Sequence, residues 1–321
     1  MTMNLVDRAE RVVSLRPFCS LRTGGAAEHL LRVYSAEELA DAAAAAQTDG
    51  IPTTYLGWGS NVLPSDDGVP GLVVVNLASR ILVDPHTGEV EADSGCGFQE
   101  LFLKAAQAGL RGLEYAVGIP GSLGGALVSN AGAYRSQVSE FLTQIEVVQD
   151  GSRRWVDPVM MEFSYRDSIL RRPNPPPIAL VRVRMRLPKG KSKAIYDEAR
   201  EYQRQRIGKQ PPPASAGSFF KNVVDRELAE RIPQLTPGMR AAGVVPAGFL
   251  IEKVGLKGFR HGGAMFSDRH ANFVLNVRGA TATEIRELAD LAKARVYRDV
   301  GVRLEEEVLY LGDWSRYRPF A

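Results

Sequence analysis

Cysteine is nearly absent from this chain. Cys19 and Cys96 are its only two, they lie far apart, and no C-x-x-C occurs. That speaks against a disulfide framework and a cysteine zinc site, so no metal is expected and a reducing, cytoplasmic setting is. No apolar run approaches the roughly 18 residues that a membrane span needs. The opening MTMNLVDRAERVV has neither an apolar core nor a small-residue cleavage site, so no secretion signal is expected either. Charge of one sign is also missing: the formal net charge is only +3. The densest basic stretch, Arg182 to Arg206, lacks the interleaved aromatics of a single-strand binder and reads as the solvated faces of a strand and a helix. Neither a nucleic-acid nor a membrane partner is therefore expected. A G-x-G-x-x-G in a strand–turn–helix context is absent too, so any dinucleotide is not held in the Rossmann manner.

What is present is an ordinary globular composition, 45% hydrophobic and 24% charged, over 321 residues, a length that favours two or three substructures. Residues 30–33, 53–56 and 72–76 read as strands around a helix opened by Ser35 and Glu38 and closed by Gly50, giving a small α/β lobe. Strands at 81–84 and 90–93, a helix over 98–108, and strands at 145–149, 153–156 and 178–187 make a second lobe. Asp150-Gly151 signals the hairpin between 145–149 and 153–156. A helix over 193–206 stops before Pro211-Pro212-Pro213, where a boundary is placed. Beyond it, helices are expected at 226–232, 247–254 and 283–298, the last with a Thr281/Glu284 capping box. Strands are expected at 272–276 and 303–310. The division is 1–77, 78–204, 205–302 and 303–321.

Two glycine-rich segments can face a ligand. Gly57-Trp58-Gly59-Ser60-Asn61 follows a strand, and its backbone could turn N–H groups toward a pyrophosphate, with Ser60 and Asn61 adding donors. Alone it reads more simply as a tight turn. Gly118-Ile119-Pro120-Gly121-Ser122-Leu123-Gly124-Gly125-Ala126 carries four glycines in nine residues and runs on to Asn130-Ala131-Gly132-Ala133-Tyr134. Such a stretch suits a large flat ligand and its phosphates lying against bare backbone, and that reading is favoured over a tightly packed structural loop.

Three further segments carry polar chemistry. Tyr165-Arg166-Asp167-Ser168 offers a guanidinium for a carboxylate or phosphate. Ser215-Ala216-Gly217-Ser218 sets a hydroxyl before Phe219-Phe220-Lys221-Asn222. Glu305-Glu306-Glu307 sits on an expected strand, Glu305 and Glu307 on one face and Glu306 on the other with Leu304 and Val308. Singly, each has a plainer reading that we favour: a surface ion pair, a cap or turn, and a solvent-facing strand.

Together and in this order, the segments resemble the UDP-N-acetylenolpyruvoylglucosamine reductase family of bacterial cell-wall synthesis. Leu21 to Ala27 resembles its R-x-G-G-x-A element, Leu56 to Asn61 its L-G-x-G-S-N loop, and Gly112 to Tyr134 its glycine-rich core. Tyr165 to Ser168 resembles Y-R-x-S, Ser215 to Asn222 S-A-G-S-x-F-K-N, Ala247 to Gly258 A-G-x-L-I-E…G-L-K-G, and His270 to Asn276 H-A-N-F-x-x-N. The resemblance implies an α+β fold: a two-lobed FAD-binding domain of the vanillyl-alcohol-oxidase (PCMH) type, with lobes 1–77 and 78–204, plus a C-terminal α+β substrate-binding domain. It implies non-covalent FAD, NADPH, an enolpyruvyl UDP-sugar as small-molecule substrate, and a monomer. Its catalytic residues fall on Ser218 as proton donor, Arg166 and Glu307. Flavin contacts fall on Gly57, Trp58, Gly59, Ser60, Asn61, Gly118, Ile119, Pro120, Gly121, Ser122, Gly124, Gly125 and Ala126. Substrate contacts fall on Tyr134, Lys209, Lys221, Asn222 and His270. Two departures stand out: Glu306 and Val223 occupy positions where proline is common. The short link from Arg166 to Ser218 resembles the subclass with a shortened substrate-domain loop.

Two rival readings remain. An oxidase of the same fold often ties its FAD to histidine, but none of the four histidines lies in 57–61 or 118–134. A flavin-binding module without catalysis would have no use for Arg166, Ser218 and Glu307 together.

Overall fold

In the computed structural model, residues 8–208, 211 and 214–319 are described. The chain forms two compact units. One takes the chain up to Ser14, Ala26–Gly59 and Val69–Gly208; the other takes Leu15–Gly25, Ser60–Gly68 and the chain after Gly208. The sequence division placed 15–25 and 60–68 in the first lobe, whereas they cluster with the C-terminal part of the chain. Alternation of strand and helix says nothing about which partner a short connecting segment packs against.

The first unit is built on two larger sheets. One has the order Glu10–Ser14, Ala26–Val33, Val69–Asn76, Thr53–Leu56, antiparallel at its first pair and parallel thereafter. The other is a five-stranded antiparallel sheet, Ser152–Val156, Leu142–Gln149, Ala179–Arg186, Glu89–Asp93, Ile81–Val83. Asp150 and Gly151, both at positive φ, close the hairpin that their sequence signals.

The alanine-rich helix Ala36–Thr48 packs on both sheets. Ala36, Ala40 and Ala43 meet Val148, Ala179 and Val181, while Leu39, Ala42 and Ala46 meet Leu31, Val33, Leu72 and Val74. A helix buried on two faces needs small side chains, so the alanine run serves close packing as well as helix propensity. Ser35 caps Glu38 as expected, but Glu38 accepts from the N–H of Tyr34 rather than closing the box on Ser35. The helix Phe98–Gln107 buries Phe98, Leu101, Phe102 and Ala105 with Val90, Ala92, Ile145, Val147, Val183 and Met185.

The second unit is built on the sheet Ala214–Ser218, Phe273–Asn276, Ala264–Phe266, Arg260–His261 and the 19-residue helix Ala282–Val300. The expected strand 303–310 is shorter than its sequence suggested. Only Leu309–Leu311 is a strand, pairing in parallel with Val62–Pro64, and Glu306 makes an isolated bridge to Phe220.

The 60–68 segment is fastened to this helix by its N-terminus. Asp66 accepts from the N–H groups of Ala282 and Thr283 and from the Thr283 hydroxyl at 2.8–2.9 Å. Thr281 and Glu284 complete the expected capping box. Leu15–Gly25 is tied in by the Thr23 hydroxyl on the Ala280 carbonyl (2.6 Å) and by the Asn276 amide on the Leu21 carbonyl (2.8 Å).

Because Asp66 answers two otherwise unpaired helix N–H groups and faces the positive end of the helix dipole, Asp66→Ala should cost about 1–2 kcal/mol. A lower urea midpoint with unchanged m-value is the expected readout; an unchanged midpoint would show that the cap carries no stability.

Candidate active site

In the first unit the two glycine segments meet. The strand Thr53–Leu56 delivers Gly57 against Ser122, so closely that a β-carbon on Gly57 would lie 2.1 Å from the Ser122 hydroxyl oxygen. Ser122 in turn bridges Gly97, through Phe98 N–H to Gly121 O and Leu123 N–H to Cys96 O. The Trp58 indole covers Gly97 with its edge and remains 53% exposed. Three stretches of bare main chain therefore converge beside an exposed aromatic ring, a surface fitted to a flat ring system and its pyrophosphate.

The glycine-rich run is divided between two tasks. Gly118, Ile119, Pro120 and Gly125 are wholly or partly exposed, whereas Gly59, Gly121, Ser122 and Ala126 are buried. The N–H groups of Leu123, Gly124 and Gly125 are taken by Cys96 O, Ser94 O and Ser122 Oγ. Over 123–125 the run serves chain crossing, the plainer reading of such a loop. Its exposed beginning is the part left to face a ligand.

Arg166 occupies a tight turn in which Ser164 and Asp167 exchange N–H···O bonds. Its φ of +54° is a conformation that glycine favours, a local strain stored at a candidate functional residue. Two buried groups hold the turn. The Asn130 amide donates to Ser164 O (2.9 Å) and Gln137 Oε1 (3.1 Å), and the Ser168 hydroxyl donates to Val128 O (2.6 Å). The Arg166 guanidinium donates to Gly132 O. Gly132–Ala133 and Ser136–Gln137 form a small hairpin whose turn residues, Tyr134 and Arg135, are both at positive φ. The Tyr134 ring stacks on Tyr202, 3.7 Å between centroids and 8° from parallel.

Arg206 joins this cluster; from sequence it fell in the basic stretch read as solvated faces, a few of whose cations could still meet an anionic small molecule. Its Nη2 donates to Tyr115 O (3.0 Å) and its guanidinium carbon lies 5.8 Å from the Tyr134 ring centroid. Its stem is near enough to Gly118 that a β-carbon there would lie 3.2 Å from Arg206 Cδ. Its Nε is buried and has no acceptor among the described residues, and neither the Tyr115 hydroxyl nor Glu114 Oε1 has a hydrogen-bond partner there. Burial lowers the Arg206 pKa, and Arg166 adds like-charge repulsion. A desolvated guanidinium of this kind is suited to an oxyanion. Its only sequence signal was its place near the end of a helix preceding a proline stretch.

In the second unit Ser218 ends the strand Ala214–Ser218, opposite Phe273 and after a bulge. Gly217, at φ +76°, makes the turn, and a β-carbon there would meet nothing within 4 Å. Ser218 is half-buried, and its hydroxyl has no hydrogen-bond partner recorded among the described residues. The following residues are clamped. Asn272 bonds both the N–H and the carbonyl of Phe220 through its amide (3.0 and 2.9 Å), and Phe219 O accepts from Glu307 N–H (2.8 Å). Glu307 is thereby brought to the segment carrying Ser218, its own carbonyl held by the Asn61 amide (3.0 Å). Ser60 and Asn61 belong to this unit and Gly57–Gly59 to the other, so the 57–61 loop is divided between them.

The expected substrate contacts are placed unequally. Lys221 is buried and paired with Glu305 (2.5 Å), and Asn222 Oδ1 accepts from Ala247 N–H at the start of the helix Ala247–Lys253. His270 Nδ1 accepts from Asn272 N–H, and the ring lies against Gly248 and Phe273. Lys209 lies outside the described residues.

Comparison with known proteins agrees along the chain. Residues 208–311 match the family profile described as UDP-N-acetylenolpyruvoylglucosamine reductase, C-terminal domain, and 27–156 match an FAD binding domain. A UDP-N-acetylenolpyruvoylglucosamine reductase of Synechococcus sp. is 37% identical over 97% of this chain and 94% of its own length. One from Thermotoga maritima is 33% identical over 90% and 94%. The crystal structure of UDP-N-acetylenolpyruvylglucosamine reductase from Thermus caldophilus superposes with a TM-score of 0.74 at 34% identity, covering 95% of this chain and 99% of that one.

The Gly57–Ser122 contact leaves no room for a side chain, so Gly57→Ala should force the two glycine segments apart. Purified Gly57→Ala should retain less than about a tenth of its flavin, a loss of 1.4 kcal/mol or more in affinity terms. Ser122→Gly in the same chain should recover part of it; full flavin content in Gly57→Ala would show that the contact is not part of the site.

Proposed function

The chain belongs to the UDP-N-acetylenolpyruvoylglucosamine reductase family, and on that premise we propose that Ser218, Arg166 and Glu307 carry its chemistry. The reaction is the NADPH-dependent, FAD-mediated reduction of UDP-N-acetylglucosamine enolpyruvate to UDP-N-acetylmuramate, a step of peptidoglycan precursor synthesis. When bound, FAD relays the hydride from NADPH to the terminal vinyl carbon. The exposed main chain at Gly57 and Gly118–Pro120, with the Trp58 ring, would hold it.

Hydride addition next to a carboxylate builds an enolate-like dianion, so cations fixed at that carboxylate stabilise the transition state. Arg166 is the first such cation in this reading, its turn pre-set by Asn130 and Ser168. Arg206 is the second, since its buried Nε lacks a protein acceptor among the described residues. Ser218 delivers the proton to the carbon beside the carboxylate. Glu307 lies on the segment bonded to Phe219, and in its protonated form it donates to the same charge. Lys221 is committed to Glu305; Lys209 keeps the role of substrate contact that the resemblance gives it.

The observation that carries this reading is the Phe219–Glu307 backbone bond, which ties the residue after the expected proton donor to the main chain of the expected carboxylate residue across nearly 90 residues of sequence. We further place the reaction in the cytoplasm and assign a monomer. Two buried free thiols fit a reducing compartment, and among the described residues no helix is long and apolar enough to cross a membrane.

Ser218→Ala should keep its yellow flavin and be reduced by NADPH at the parent rate, while reoxidation by the enolpyruvyl nucleotide slows roughly 100- to 10,000-fold. Normal reoxidation would remove Ser218 from its role. Glu307→Gln should impair that half-reaction and Glu305→Gln far less; equal losses would mean the wrong carboxylate. Arg206→Met should raise the KM for the enolpyruvyl nucleotide about 10- to 100-fold with flavin content unchanged, the scale of a lost charge-assisted hydrogen bond; an unchanged KM would exclude it.

A further inference from the structure

Three identical side chains in a row, Glu305-Glu306-Glu307, leave side-chain type unable to say which carboxylate goes where. Leu304 and Val308 are buried and fix which face the intervening Glu306 takes. Two lysines then discriminate among the acids. Lys221 takes Glu305 (2.5 Å) on one face. On the other, Lys293, from the helix Ala282–Val300, takes Glu306 (2.6 Å). The Lys293 ammonium also binds Asp290 (2.6 Å), Tyr310 donates its hydroxyl to Glu306 (3.2 Å), and Tyr317 donates to Asp290 (2.6 Å). Burial works against the charge on Lys293, yet the two carboxylates hold its pKa above the ordinary lysine value.

A partly buried ion pair adds little net stability, because desolvation offsets the attraction; its best-attested use is to fix register. Here the register matters. The bridge between Phe220 and Glu306 uses the N–H groups of Lys221 and Glu307, bonded to Glu305 O and Phe219 O. A shift along this short ladder would place a different glutamate beside Phe219. We propose that Glu306 and Lys293 are a positioning pair whose contact sets the register of 305–307 and so the placement of the Glu307 carboxyl. The inference rests on the reading of Glu307 as the working carboxylate.

The bridge also supplies its own control. Since the ladder does not use the Glu306 N–H, proline can stand at 306 without breaking it, and its fixed φ holds the main chain with no ion pair.

The test separates the two half-reactions of the holoenzyme by stopped flow and adds substrate affinity and thermal melting. In Glu306→Ala and Lys293→Met, reoxidation by the enolpyruvyl nucleotide should slow about 10- to 100-fold, the scale of an ångström-size misplacement. Reduction by NADPH and the substrate Kd should stay within about twofold. The double variant should be no slower than either single one, as coupled partners require. Glu306→Pro should recover most of the rate, as should Lys293→Arg, which also serves if the Met variant folds poorly. Reoxidation within twofold of the parent in Glu306→Ala, loss of both half-reactions together, or no recovery in Glu306→Pro would overturn the proposal. Glu307→Gln is run alongside. If it is slow while Glu306→Ala is normal, only the positioning role falls; if it is normal, the catalytic reading of Glu307 falls and this inference with it.

Discussion

The candidate chemistry of the second unit hangs on one short antiparallel contact between 219–221 and 305–307. Its hydrogen bonds are ordinary, but each strand of the contact is held from outside. Asn272 satisfies both backbone groups of Phe220, Asn61 takes the Glu307 carbonyl, and the two lysines fix the flanking glutamates. Two consecutive buried phenylalanines, Phe219 and Phe220, are possible because the chain leaves the strand after the bulge at Gly217. The core thus anchors the residues after Ser218 while Ser218 itself stays half-exposed. The proton delivery proposed for Ser218 needs such a hydroxyl on a rigid support.

The first unit solves a similar problem with strain. Arg166 and Tyr134 both sit at positive φ, at a cost of about 1–3 kcal/mol each, and buried Asn130 and Ser168 supply the hydrogen bonds that keep Arg166 there. Around them collect buried polar atoms that have no hydrogen-bond partner among the described residues: Arg206 Nε, the Tyr115 hydroxyl and Glu114 Oε1. Buried polar groups are normally paired, so such a cluster beside an arginine turn is suited to a polar ligand. The glycine-rich surface has Gly57 and Gly97 packed so closely against the Ser122 and Trp58 side chains that neither has room for a β-carbon, with an indole left half in the open.

Much of this was legible in the sequence. The strand Thr53–Leu56, the capped helix Ala282–Val300 and the hairpin at Asp150-Gly151 follow from local signals: alternation, a capping box and a turn dipeptide. The ordered motifs pointed to the family, which the relatives and the solved structure establish. Local periodicity failed at 303–310, where alternating apolar residues suggested a strand but only a bridge and three strand residues form.

Residue types and their order determined the kind of chemistry: hydroxyl, guanidinium, carboxylate and bare glycine loops in one chain. Only the tertiary structure decided which partner each of these groups has. It committed Lys221 to Glu305 and Asn222 to a helix start, assigned Glu306 to Lys293, and lifted Arg206 out of a run of surface cations. The reason is physical. A side chain's type is local, but its burial, its partners and the charge left unanswered beside it arise from segments far apart in the chain, and no spacing along the sequence records them.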